Sequence, residues 1–177
     1  MSAVAVLRAA TRADHARVDA AFGRHDLGTA AGYGAFLMAQ ARALPAVERA
    51  LRPGELLAGW KGRSIALLDD LAAMGLDAPG AAGFAPPDSA AARWGAIYVL
   101  EGSRLGGAVL HGRVGDGLPT RFLRARHRPG DWRRLLQRLD AMDEGPGWRA
   151  EAVDGAVAAF GAFLGGAVLC GAAAGHP

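Results

Sequence analysis

Proline and glycine cut this chain into pieces of one kind. Breaks fall at Pro53-Gly54, Pro79-Gly80, Pro86-Pro87, Gly117-Leu118-Pro119, Pro129-Gly130 and Gly145-Pro146-Gly147. Such pairs end regular structure, because proline lacks a backbone donor and glycine accepts turn conformations. Between the breaks, alanine-rich stretches carry their large apolar side chains three and four residues apart, the spacing of one helix face. No stretch alternates convincingly with period two, and no internal repeat is visible. The expectation is an all-α, multi-helix bundle, with the 177 residues forming one domain over 1–177. Helices are predicted over 2–22, over 29–51 with a bend at Pro45, over 63–74, over 131–142 and over 148–173. A long middle helix, capped by Asp88 or Ser89, is predicted to reach about Val114, and a short turn to follow near Arg121.

Composition narrows the setting. Apolar residues at 51% against 21% charged exclude a disordered chain. A net charge of +3 permits an acidic partner without requiring nucleic acid. A single cysteine, Cys170, excludes an intramolecular disulfide and suits a reducing compartment. Arg8 and Arg12 interrupt any secretory signal, so a cytoplasmic protein is expected. The stretch 155–175 has no charge and is long enough to span a membrane. It is mostly alanine and glycine, however, and reads as a buried bundle helix rather than a tail anchor; no membrane partner is expected.

Two segments carry chemistry. In the first helix Val4, Leu7, Thr11, His15, Val18 and Phe22 fall within roughly an 80° arc. His15 sits at the centre of that stripe, with Asp19 at i+4, where a carboxylate can reach the imidazole. A histidine so placed is either a core residue satisfied by Asp19 or a metal ligand whose second nitrogen the carboxylate holds. No His-x-x-x-His, Glu-x-x-His or Cys/His cluster accompanies it, which argues against zinc and against a di-iron carboxylate site. A lone ligand suits haem, where the porphyrin supplies the other four.

In the middle helix Gly102, Ser103, Gly106 and Gly107 make one small-residue face. Each interior glycine costs about 1 kcal/mol relative to alanine, so something should approach that backbone closely. Spacing alone leaves two bodies open, a second helix or a flat ligand.

The run Tyr98-Val99-Leu100-Glu101-Gly102-Ser103, followed by Leu105-Gly106-Gly107, resembles the distal-helix signature of bacterial haem oxygenases. Leu7-Arg8-Ala9-Ala10-Thr11, then His15 and Asp19, is similar to their proximal-helix motif, and Arg63, Leu67 and Asp70-Leu71 resemble a third stretch. The resemblance covers nearly the whole chain. It implies a haem oxygenase-like bundle that opens haem to biliverdin, carbon monoxide and ferrous iron with oxygen and external electrons, haem being both cofactor and substrate. It makes His15 the axial iron ligand and Asp19 its orienting partner. It lays Gly102, Gly106 and Gly107 over the opposite haem face, with Gly102, Ser103 and Gly106 as the catalytic positions.

Two departures accompany the resemblance. Many family members carry an aspartate where this chain has Ser103; a serine can hold water but does not titrate near neutrality. Family members also send basic residues from the last helix to the haem propionates, and no Lys or Arg follows Arg149. That duty falls to Arg8, Arg12 or another surface arginine. His25, His111, His127 and His176 read as surface or loop residues. Glu101 reads as a partner for an arginine, without a catalytic role. The basic run Arg121, Arg124, Arg126, Arg128, Arg133, Arg134 and Arg138 is a solvated face or a dock for an acidic electron donor such as a ferredoxin or flavodoxin. Two alternatives stand beside the enzyme: a haem-binding relative without turnover, and a helical regulatory or DNA-binding module.

Overall fold

The computed structural model describes residues 1–85 and 87–173, with side chains as far as Val168. Cys170's side chain and His176 lie outside the described part. Within it the chain forms eight α-helices and no strand: α1 (Ala3–Ala10), α2 (Arg12–Phe22), α3 (Ala30–Leu51), α4 (Ser64–Ala73), α5 (Ala90–His111), α6 (Arg121–Arg124), α7 (Asp131–Ala141) and α8 (Pro146–Ala173). Side chains set several of the starts. Thr29 accepts from the Gly32 amide and Ser89 from the Ala92 amide, both at 3.1 Å, so Ser89 rather than Asp88 caps the middle helix.

The first helix is broken where a continuous one was predicted. Thr11 is buried, and its hydroxyl donates to the Leu7 carbonyl at 2.7 Å. A threonine bonding back one turn competes with the helix ladder, and at Thr11 the backbone leaves helical dihedrals (φ −97°, ψ 9°), which separates α1 from α2. Pro45 lies inside α3. Beside the gap that its missing N–H leaves, the Arg42 carbonyl accepts from the Ala82 amide at 2.6 Å.

Helix α8 is the axis of the bundle, packing on α5, α3, α2 and α1. Its length and composition would let it cross a membrane, but Ala152, Ala156, Ala159, Phe160, Phe163 and Ala167 are buried against those neighbours. Glycines bring the axes together. A Cβ on Gly95 of α5 would collide with the Ala152 carbonyl, one on Gly155 with the Ala92 carbonyl, and one on Gly166 would stand 2.7 Å from the Ala39 carbonyl. Around this contact lie Tyr33, Phe36, Leu37, Leu44, Trp94, Ile97 and Leu100, all nearly inaccessible to water.

Candidate active site

Past the break at Thr11, His15 projects from α2 with its side chain 64% exposed. The core-histidine alternative is therefore corrected: the apolar stripe is buried at Val4, Leu7 and Phe22, but no protein covers it at His15. The ring stands edge-on to Phe160 of α8, centroids 5.8 Å apart. Its Nδ1 is 3.0 Å from Asp19 Oδ2. In the neutral imidazole this bond places the proton on Nδ1 and leaves the Nε2 lone pair available.

The glycine face of α5 divides. Gly95, Val99, Gly102 and Gly106 recur at helical spacing along one side. At Gly95 that side is pressed onto α8; at Gly106 a Cβ would find nothing within 4 Å. A Cβ at Gly102 would meet the Trp132 ring at 3.5 Å, and one at Gly107 the Leu123 side chain at 3.5 Å. The helix-on-helix contacts thus belong to Gly95, Gly155 and Gly166, while the space over Gly106 is open.

Next to that opening stands Arg63, whose part was not legible in the sequence. Its backbone amide donates to Glu48 Oε1 at 2.7 Å, and the neighbouring Ser64 amide and hydroxyl donate to Glu48 Oε2. Its buried guanidinium donates through Nη2 to the Leu100 carbonyl (3.0 Å) and to Ser103 Oγ (2.6 Å). The Ser103 hydroxyl donates in turn to the Leu100 carbonyl at 2.7 Å. Arg63 Nε is buried without a partner among the described residues. Burial, together with nearby Arg104, pulls this guanidinium down to about 10.

On another side of α5, Glu101 forms a buried hub. It accepts from Trp60 Nε1 (2.7 Å) and Arg104 Nε (3.0 Å) and lies 3.0 Å from His127 Nε2. Burial opposes its ionisation, but His127, Arg104 and Trp60 outweigh that and hold the carboxyl below its ordinary value. Arg104 also donates to the Lys61 and Ala125 carbonyls, tying two loops to the helix. His127 lies in a loop, as read, but its side chain is mostly covered and stacked on Trp132. His25 likewise lies in the loop between α2 and α3, half-buried, with its ring against Phe22 and Phe36, and burial lowers its pKa.

A haem oxygenase of Xanthomonas campestris pv. campestris is 38% identical to this chain over 114 residues, 59% of the chain and 68% of that protein. This chain belongs to the haem oxygenase family. Crystal structures of the NO- and CO-bound haem oxygenase of Neisseria meningitidis share its fold, with a TM-score of 0.80 and 26% identity over 96% of this chain and 92% of that one. No family model matches the chain. Membership makes the chain a haem oxygenase-type enzyme and disfavours both the carrier without turnover and the DNA-binding module.

The haem oxygenase frame leaves the arginines in two groups. Arg8 and Arg12 are exposed and pair with no carboxylate among the described residues. Much of the basic run is used internally. Arg128 and Arg134 pair with Asp131, Arg121 with Asp69, and Arg124 donates to His111. Arg138 donates to the Leu56 carbonyl and lies over the Trp94 ring. Arg126 and Arg133 pair with no carboxylate among the described residues. The sequence signal for the hub was available: Glu101 and Arg104 continue the apolar positions Ile97 and Leu100 at i+4, where charges signify a buried pair.

Proposed function

We propose that this chain opens haem oxidatively to biliverdin, carbon monoxide and ferrous iron, with His15 as the axial ligand, the 1–177 chain working as one domain. One observation carries the reading. Gly106 of α5 faces open space where Gly95, on the same side of that helix, is pressed onto α8, while His15 presents outside the core an Nε2 without a partner among the described residues. A flat macrocycle with one axial position to fill matches that pair of features. When bound, haem supplies the iron that takes up oxygen and the porphyrin edge that is oxidised.

The chain's own residues do the rest. Asp19 fixes the tautomer and aim of His15. Gly106 admits close approach of the backbone to the ligand face, with Gly102 and Gly107 flanking it. Ser103 has spent its hydroxyl proton on Leu100 and one lone pair on Arg63, so its second lone pair accepts from a water. Arg63 Nε is a buried donor without a partner among the described residues, suited to an internal water of the same network. Neither group needs to titrate: they hold water where protons are consumed, and the protons pass along the water. Arg8 and Arg12, exposed on α1 and α2 and paired with no carboxylate among the described residues, would meet the propionates at the solvent edge. Arg126 and Arg133 offer charge to an acidic one-electron donor such as a ferredoxin or flavodoxin. The packing of α8 within the bundle supports a core helix rather than a membrane anchor. Titration with haemin followed by reductant under oxygen tests the reading. A Soret band that gives way to biliverdin is expected; a Soret band that persists unchanged refutes turnover.

A further inference from the structure

We infer that Asp70 is a positioning residue for Arg63, acting through the short helix α6 and the ring of Phe122. This rests on the reading of Arg63 and Ser103 as the groups that hold water beside Gly106.

Asp70 lies on α4, is fully buried, and sends both carboxylate oxygens across to α6. Oδ1 accepts from the Arg121 amide at 3.1 Å and Oδ2 from the Phe122 amide at 2.9 Å. Those amides open a helix of four residues whose own cap, Thr120, makes no side-chain bond to it. A single turn does not hold itself together in water, since fixing its dihedrals returns too few hydrogen bonds. The place of α6 therefore depends on what takes its first amides, and that is Asp70. The exposed Arg121–Asp69 pair, 70% and 48% accessible, adds little.

Two consequences reach the site. The Phe122 ring lies against the guanidinium of Arg63, 5.5 Å from Cζ to centroid, and backs onto Phe36. Leu123, the next residue, sets its side chain beside Gly107. Glu48 already fixes the backbone at Arg63, and Leu100 and Ser103 fix the end of its head. What those contacts leave undetermined is the tilt of the guanidinium plane, and so the aim of Nε. The aromatic face of Phe122 sets that tilt, and Asp70 sets Phe122.

The test starts in the ligand-free protein. Solvent exchange of the Arg63 Nε–H, followed by 15N NMR and assigned with Arg63→Lys, is compared for Asp70→Ala, Asp70→Asn, Phe122→Leu and Asp69→Asn. Asp70→Ala and Phe122→Leu are expected to speed exchange about tenfold. Asp70→Asn, which keeps one carbonyl oxygen for one of the two amides, falls between them and the parent. Asp69→Asn matches the parent. With haemin bound, the acid–alkaline absorbance transition of the ferric complex shifts in Asp70→Ala in the same direction as in Ser103→Ala. Should Asp70→Ala fail to fold, Phe122→Leu carries the measurement, because it leaves the amide bonds to Asp70 in place. Parental Arg63 exchange in Phe122→Leu, at parental circular dichroism, overturns the inference. Faster exchange, with a transition that neither Arg63→Leu nor Ser103→Ala moves, overturns instead the water-holding reading on which it rests.

Discussion

Replacing Gly106 by alanine should move stability and haem affinity in opposite directions. Position 106 is inside α5, and an added Cβ there meets no atom within 4 Å. The methyl therefore brings the helix-propensity gain without a clash, about 0.8–1 kcal/mol for Gly to Ala in a helix interior. For a chain of this size about 1 kcal/mol raises Tm by roughly 2–4 °C. The ligand-bound state sees the reverse. If haem lies on the Gly106 backbone, the methyl occupies space the macrocycle needs, and overpacking of this kind costs about 1–3 kcal/mol, a loss of roughly 5- to 150-fold in affinity. Gly95 is the contrast: its Cβ would collide with the Ala152 carbonyl, so Gly95→Ala should lower the Tm of the ligand-free protein. Thermal melts by circular dichroism without haem, and Soret titrations with haemin, read the two quantities separately. A Gly106→Ala protein that melts below the parent, or binds haemin as well as the parent, refutes the argument. Gly106→Leu should bind haemin more weakly still.

Three further outcomes follow from the same geometry. His15→Ala should alter the ferric haem spectrum and keep the fold, with stability within about 0.5 kcal/mol of the parent, because the His15–Asp19 pair is exposed; an unchanged spectrum removes His15 as ligand. Arg8→Ala/Arg12→Ala should weaken haemin binding by a factor of about 10 or less, and more at low salt than at high; equal affinity at both salts sends the propionates to other arginines. Glu101 has a folded pKa below its ordinary value near 4.5, so its stabilising effect is complete above that value and lost as pH falls through the lower folded one. Acid melts of Glu101→Gln should thus show a flatter stability profile in that window, and a lower Tm at neutral pH because Arg104 loses its buried counter-charge; a neutral-pH Tm equal to the parent's, or an acid slope as steep, counts against the hub.

What the sequence made legible was local. Caps at Thr29 and Ser89, and the i,i+4 reach of Asp19 to His15, are set by residues within one or two turns. The break at Thr11 was local too, but it depends on a hydroxyl choosing the Leu7 carbonyl, which helical periodicity does not register. The rest is tertiary. Which glycines serve packing and which serve access could not be read from spacing, since Gly95 and Gly106 lie on the same side of α5 and differ only in whether α8 is opposite. Arg63 gains its place from Glu48, 15 residues earlier, and Ser103, 40 residues later. His127 is the loop residue it was read as, but nothing near it in the chain indicates its contacts with Glu101 and Trp132.

Helix α5 behaves as a cantilever. Its root is clamped to α8 where Gly95 and Gly155 nest against opposing carbonyls, its midspan is propped by the Glu101 hub, and its tip carries Gly106. From root to tip is about 16 Å of helix. A methyl forced in at the root is therefore expected to shift the position of Gly106 without touching it, to the extent that α6, packed on the tip through Leu123 and Arg124, gives way. The room for the proposed ligand over Gly106 would thus depend on how closely two glycines let backbones approach, well away from Gly106 itself. Substitutions near residue 95 that leave the protein folded should consequently surface as altered selectivity among porphyrins of different thickness and edge substitution.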